Sequence, residues 1–583
     1  MIPCDDFYEF ACGNYAKTNP IGKSEQIRSD VLFEMKTELD KFIKKSLENF
    51  EPRSEGALIH YEACRKYQKD LGDFRYLIGN FSESSGSWES VSGNLSRLGI
   101  HPIIRNLVLV SFGEEDRNEL MFADPKDYLN SSQVLLDAHD LLESLEVNET
   151  DIQEFQTFLK SSSKLRREIQ DFSYINISSF GDFKENFGSI KFDEMFGELS
   201  DSTIVNNLNW PFFEALNSKI NRFSQKTIKD YLILSLIKEM KKYMEQDCLS
   251  QIKQLFPFFI LKKIILPKKF EETKTGAENL VKLIKNKMMT RIRKEEWIEN
   301  NDTRSRAFDK IEAMTENFGF LENEDVQEEN VKNLKPDEFF ENIFKIKNWM
   351  FQGDILRLGK KAKPDLRPKI LDVQAFYIPT YNQMFFTAPI LTPPLFAPNS
   401  PPFITFGALG TAIGHEITHG FDNRGSKFNK HGKSENWWDE ETSQKFENRT
   451  ECIREQYHKA TEEFMGRKLE ELEVPGNLLG ENIADNGGLR LAYRVFEKQM
   501  EKDGRKLEGF EDYSLEQMFF IVYANNFCET INPSKIDEYL SNESHSFGKL
   551  RVNLPLKNFH EFAQVFNCSK ESAMRAENKC RVW

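Results

Sequence analysis

The pentapeptide HEITH, His415 to His419, constrains this chain more than any other stretch. Two histidines four positions apart come together on an α-helix, where they lie about 40° apart around the axis, so both imidazoles can reach one ion. Glu416 follows the first histidine and can approach a water at that ion. The surrounding residues predict a single helix from about Ile404 to Gly420. A catalytic zinc takes three protein donors and keeps a fourth position open, so a further donor has to arrive from elsewhere in the fold.

The position of that donor separates the known arrangements. Where a glycine and a third histidine follow within six residues, the chain supplies all three donors locally, but here Asp422 and Gly425 occupy those places. The alternative is a glutamate on a later helix, and residues 478 to 490, LLGENIADNGGLR, provide one. Glu481 and Asp485 are again four apart and share a helical face. Glu481 is the candidate third donor, and Asp485 can accept the free N–H of a ligand imidazole.

A chain of 583 residues exceeds the roughly 250 to 300 that one hydrophobic core sustains, so two lobes are expected. Residues 25 to 300 carry apolar side chains at three and four spacing, as in TIKDYLILSLIKEMKKYMEQ, and read mainly as helices with one strand at 107 to 112. VQAFYIPTYNQMFF, 373 to 386, reads as a hairpin at a sheet edge, and six prolines between Pro389 and Pro402 mark a rigid loop. The expected class is mainly α with a small β-sheet (α+β).

A net charge of -15 argues against a nucleic-acid partner, and Lys262, Lys263, Lys268 and Lys269 read as a solvated helix face or turn. Eight cysteines without a CxxC pair favour disulfides over metal thiolates. Glycosylation sequons at Asn80, Asn94, Asn130, Asn148, Asn176, Asn301, Asn448 and Asn542 point with them to export. The first residues lack the basic and apolar regions of a signal, so an anchor or signal is expected outside this sequence.

Four motifs in order, PCDDFYEFACG, HEITHGFD, GENIADNGGL and CRVW, resemble the neprilysin and endothelin-converting-enzyme family of gluzincin zinc metallopeptidases, from Pro3 to Trp583. The resemblance implies a thermolysin-like catalytic lobe of residues 1–60 and 250–583 and a helical cap of residues 61–249. It implies one Zn2+ per chain on His415, His419 and Glu481, with Glu416 as general base and Asp485 as partner of a ligand histidine. The family's Asp-x-His motif matches Glu543 to His545, and this implies that His545 stabilises the tetrahedral intermediate and that Arg551 grips a substrate carbonyl. Disulfides Cys4–Cys568, Cys12–Cys528, Cys64–Cys248 and Cys452–Cys580 are implied as well. So is cleavage of extracellular peptides on the amino side of hydrophobic residues, by a protein either secreted or anchored as a type II membrane protein.

Departures from the family pattern are specific. Gln374 and Ala375 stand for its substrate-binding Asn-Ala pair, Glu543 replaces an aspartate, and the segment between Cys64 and Cys248 is shorter. Leu395, Thr411, Ala412, Asn526 and Phe527 stand beside a retained Ile390 where the family's specificity pocket is largely bulkier or more apolar. Arg28 is the counterpart of its carboxylate-binding arginines. These departures motivate a rival reading, a catalytically weak homologue serving as an extracellular binding or receptor-like protein; retention of all three ligands and the base favours an enzyme. Glutamine carries the amide of asparagine one methylene further out. Gln374→Asn is therefore expected to raise kcat/KM on a good peptide substrate about 2- to 12-fold, the worth of one net hydrogen bond. A clear fall in that rate would identify glutamine as the fitted residue.

Overall fold

In the computed structural model, residues 2–22, 26–51, 54–67, 86–110, 117–125, 147–164, 176–266, 270–319, 331–361, 364, 366–367, 369–468 and 478–583 are described. Contacts divide the chain into two units. The first consists of Met1–Glu48, Ile260–Asp325 and Pro368–Trp583, the second of Asn49–Phe259 and Val326–Arg367.

Three helices stand at the centre of the first unit: α1 (Phe270–Lys294), α2 (Thr411–His419) and α3 (Leu478–Met500). α2 carries HEITH and continues a one-turn helix, Pro402–Thr405, through a π-helical turn, Phe406–Gly410. The helical path thus begins two residues before the expected Ile404. Glycines let α2 and α3 approach backbone to backbone. A Cβ on Gly414 would meet the Gly488 carbonyl oxygen at 2.7 Å, and one on Gly488 would meet the His415 nitrogen at 2.6 Å and the Thr411 oxygen at 2.7 Å.

The hairpin forms where the pattern places it. Strands β1 (Arg28–Asp30), β2 (Thr315–Gly319), β3 (Ala375–Ile378), β4 (Gln383–Thr387) and β5 (Glu529–Ile531) make two small sheets, in order β2-β4-β3 and β1-β5. β4 runs parallel to β2 and antiparallel to β3, which leaves β3 as an edge. Asn382 takes the turn with a positive φ of 47°, a conformation its short polar side chain tolerates. Phe376 stacks on Phe385 across the hairpin, their centroids 5.3 Å apart.

Covalent links hold the chain ends in this unit. Cys4–Cys568, Cys12–Cys528 and Cys452–Cys580 are all formed, as the resemblance implies, and Cys64–Cys248 closes the second unit. Phe7 is fully buried against Phe562 and Phe566. At the other end, the Trp583 indole donates to the Phe421 carbonyl at 2.9 Å, just beyond α2.

The second unit holds more sheet than expected. Arg105–Val110, Asn118–Ala123, Ile204–Asn207 and Asn176–Ser179 are hydrogen-bonded in that order, whereas only the first is legible in the sequence. Asn118–Ala123 is buried throughout and so shows no alternation, and Ile204–Asn207 ends in two buried asparagines. The unit bounds differ from the expected 1–60, 61–249 and 250–583, since Val326–Arg367 groups with Asn49–Phe259. The helix Phe339–Ile355 places Phe339 against Tyr67 at 4.3 Å and His60 at 5.8 Å between ring centroids.

Six sequon asparagines, Asn94, Asn148, Asn176, Asn301, Asn448 and Asn542, are exposed; Asn80 and Asn130 lie outside the described residues. Lys262 and Lys263 are exposed in the turn Ile260–Ile265, and Lys268 and Lys269 again lie outside. Among the described residues no helix is long and apolar enough to cross a membrane. Because the α2–α3 contact leaves no room for a side chain, Gly488→Ala is expected to destabilise the protein by about 1–3 kcal/mol and to lower its metal content. Thermal unfolding and metal analysis of the purified variant check both effects.

Candidate metal centre and cleft

α2 presents His415 and His419 one turn apart, and α3 brings Glu481 to them. The two Nε2 atoms are 2.9 Å apart, and Glu481 Oε2 lies 3.1 Å from His415 Nε2 and 3.2 Å from His419 Nε2. Among the described residues, these three side chains form the group of potential ligands with donor atoms within 4.8 Å of one another.

The tautomers follow from the other ring nitrogens. His415 Nδ1 is 2.9 Å from Asp485 Oδ1, and His419 Nδ1 is 2.7 Å from Asp422 Oδ2. Each Nδ1 can therefore donate to a carboxylate, which turns two bare Nε2 lone pairs and one carboxylate oxygen toward the same point. Such an arrangement is repulsive unless a cation sits among them. The spacing fits one, because donors of a tetrahedral ion with bonds of 2.0–2.1 Å lie about 3.3 Å apart. Two histidines and a carboxylate are also a donor set that suits zinc.

The surrounding charges reinforce one another. Burial works against a charge on Asp485, yet the Arg551 guanidinium and His415 hold its carboxyl well below the usual range. Arg551 Nε and Nη2 each donate to Asp485 at 2.8 Å, a bidentate pair. For Glu481 burial again opposes the charge, and His545 and His419 hold it ionised. Burial and His419 disfavour a positive charge at His415, while Asp485 and Glu481 favour one there, as they would a cation. Asp422 Oδ1 accepts the backbone N–H groups of Arg424 and Gly425 at 2.7 and 2.6 Å, which fixes the aspartate under His419.

Glu416 differs from all of these. The residue is only 5% exposed, and among the described residues nothing offers its buried Oε2 a hydrogen bond. Burial raises its pKa above the ordinary carboxylate value. It lines a cleft of about 570 Å³ with His415, Asp485, His545, Arg551, Gln374 and Ala375. Ile390, Leu395, Thr411, Ala412, Asn526 and Phe527 line the same cleft.

The structure thus brings every sequence-predicted site residue to one place. His545 Nε2 lies 3.0 Å from Glu481 Oε2, and its Nδ1 contacts the Ser544 hydroxyl at 3.1 Å. Glu543 instead pairs with Arg28 at 3.2 Å, and Arg28 also binds Asp30 at 2.8 Å, so the arginine's charge is met within the protein. At the sheet edge, the Gln374 carbonyl accepts from Thr387 N at 3.2 Å and its N–H donates to Thr387 Oγ1 at 3.2 Å. Antiparallel alternation then turns the backbone groups of Ala375 to the open side. The Gln374 side-chain amide reaches back to the Lys369 carbonyl at a long 3.5 Å. Asp422 is the residue that sequence reasoning missed; its signal is an aspartate three positions after the second histidine, one turn along the chain.

Two models of peptidase family M13 match the chain, one over residues 3–321 and the other over 374–582. Neprilysin-2 of Caenorhabditis elegans is similar, 27% identical over 676 aligned positions that cover 100% of this chain and 90% of the relative. Human membrane metallo-endopeptidase-like 1 is 26% identical, with 100% and 86% covered. Among solved structures, a zinc metalloprotease of Mycobacterium tuberculosis in complex with an inhibitor superposes with a TM-score of 0.77 at 17% identity, covering 100% of this chain and 97% of the other. Its low identity speaks to the fold alone.

Loss of the carboxylate behind a ligand histidine weakens a metal site without removing a ligand. Asp485→Asn is expected to lower metal affinity about 10- to 100-fold. Competition with a chelator, followed by metal analysis, measures it; wild-type affinity would show that Asp485 serves only Arg551.

Proposed function

The chain belongs to peptidase family M13 and is a metalloendopeptidase, and we propose that it cuts extracellular peptides on the amino side of hydrophobic residues with one zinc ion per chain. His415, His419 and Glu481 would hold the ion. When bound there, zinc supplies a Lewis acid that polarises the scissile carbonyl and brings the pKa of its water toward about 7.

The chain's own residues do the rest. Glu416 takes the proton of the attacking water and passes it to the leaving amine. Asp485 and Asp422 hold the Nδ1 protons of His415 and His419, which keeps both Nε2 lone pairs directed inward. His545 Nε2 faces the same centre and serves as a donor to the oxyanion. Arg551 locks Asp485 and lines the cleft, where it can also meet a substrate carbonyl. Ala375 offers backbone N–H and C=O groups to an extended peptide laid along β3, in the manner of strand addition, with Gln374 beside it. Ile390, Leu395, Ala412 and Phe527 supply an apolar wall for the side chain that follows the cut.

The partition into a catalytic first unit and a cap-like second unit is part of this proposal. The short segment between Cys64 and Cys248 supports a reduced cap. Four disulfides support an oxidising, extracellular location, with the protein either secreted or anchored at the cell surface.

One observation carries the mechanism: a buried carboxylate oxygen of Glu416 with no partner, next to three converging donors. Glutamine is nearly isosteric with glutamate and cannot take up the proton. Glu416→Gln is expected to retain zinc at wild-type occupancy while losing turnover of internally quenched peptides, and the wild type is expected to lose turnover on chelation. Substantial residual cleavage by a contaminant-free variant would remove Glu416 from the role of base.

A further inference from the structure

On the far side of α3 lies a second cavity, of about 430 Å³. Gly487, Arg490, Leu491 and Arg494 line it from that helix, a set spaced by three and four residues and turned away from Glu481 and Asp485. α1 contributes Lys287, Arg291 and Lys294 at the same spacing, and the C-terminal segment adds Lys579 and Arg581. Seven cationic side chains therefore surround one volume in a chain whose net charge is -15.

Internal carboxylates answer only part of that charge. Glu295 is shared between Arg291 and Arg581, and Arg494 takes Glu497 and Glu561. Among the described residues, no carboxylate pairs with Lys287, Lys294, Arg490 or Lys579. Arg490 Nη2 and Lys579 Nζ donate to neutral carbonyls, those of Asn558 at 2.5 Å and Lys557 at 2.8 Å. Among the described residues nothing accepts a hydrogen bond from the buried Arg291 Nη2. Burial and the charges of Arg291 and Arg494 push Arg490 down to about 10, and Lys287 and Lys579 are lowered by burial and cationic neighbours in the same way.

We propose that this cavity is a binding site for a small multivalent oxyanion bearing phosphate or sulfate groups. Guanidinium forks match tetrahedral oxyanions in a bidentate manner, and the lysines add point charge. Such an anion supplies the acceptors that Arg291 and the unpaired cations lack and relieves their mutual repulsion. The volume exceeds what one inorganic ion needs, which leaves room for the group that carries it.

The test uses the zinc-loaded full chain at constant ionic strength balanced with chloride, titrated calorimetrically with inorganic phosphate, inorganic sulfate and a trisulfated disaccharide. Saturable binding of at least one probe, with a Kd below about 1 mM, is the expected result. A tighter disaccharide identifies a sulfated glycan as the source, and a tighter inorganic ion a free oxyanion; both support the site. The double variant Lys287→Gln/Lys579→Gln, which breaks no ion pair, is expected to bind about tenfold more weakly or worse, and Arg490→Gln gives a second, independent reading. Absence of saturable binding, or equal binding by the folded double variant, would overturn the proposal. Neither outcome touches the metal centre, because the measurement reads binding at a different face of α3.

Discussion

Backbone contact between α2 and α3 is the constraint on which the rest of the site depends. Gly414 and Gly488 lie so close that a single Cβ on either would collide with the opposite main chain. This proximity decides where the third donor falls: Glu481 reaches both imidazoles only because α3 lies almost on the backbone of α2. The same approach seats Asp485 behind His415 and lets Arg551, on the helix Gly548–Lys557, close the chain of charges. Larger residues at the contact would keep each helix intact and still separate the donors.

Electrostatics at the centre is a nested arrangement of opposite charges rather than a set of separate pairs. Arg551 holds Asp485, Asp485 holds His415, and Glu481 faces His415, His419 and His545 together. Among the described residues of this group, Glu416 is the one with a buried carboxylate oxygen that has no hydrogen-bond partner. A buried carboxylate oxygen left without a partner costs free energy, and such a group persists where it has a chemical task.

Two substitutions relative to the family pattern are absorbed in different ways. Glu543, one methylene longer than aspartate, turns to Arg28 on β1, and His545 contacts the Ser544 hydroxyl through Nδ1 and Glu481 through Nε2. That pairing ties β1 to the loop of His545 and meets the charge of Arg28 within the protein. Gln374 keeps its backbone in register with Thr387 while its side chain reaches back toward Lys369. Both outcomes depend on reach, which a residue-type comparison along one chain does not measure.

Much of the site is legible in the sequence because helical periodicity is local. His415 and His419, and separately Glu481 and Asp485, share faces on any helix, and the hairpin at 373 to 386 announces itself by its turn residues and aromatic flanks. Three strands of the second unit escape, because full burial erases the alternation of Asn118–Ala123 and the four-residue strands Asn176–Ser179 and Ile204–Asn207 are too short to show a period, and Val326–Arg367 groups with Asn49–Phe259 through contacts such as those of Phe339 with His60 and Tyr67, which span long stretches of chain. Asp422 escapes as well, because H-x-x-D is a common spacing until a histidine nitrogen is seen 2.7 Å away. The sequence by itself determined which histidines and carboxylates share helix faces, because those are set by spacings of three and four residues. Only the tertiary structure decided which carboxylate serves which histidine, where Glu543 and Arg28 spend their charge, and that α3 turns a cationic cavity away from the metal centre, because each depends on distances between segments far apart in the chain.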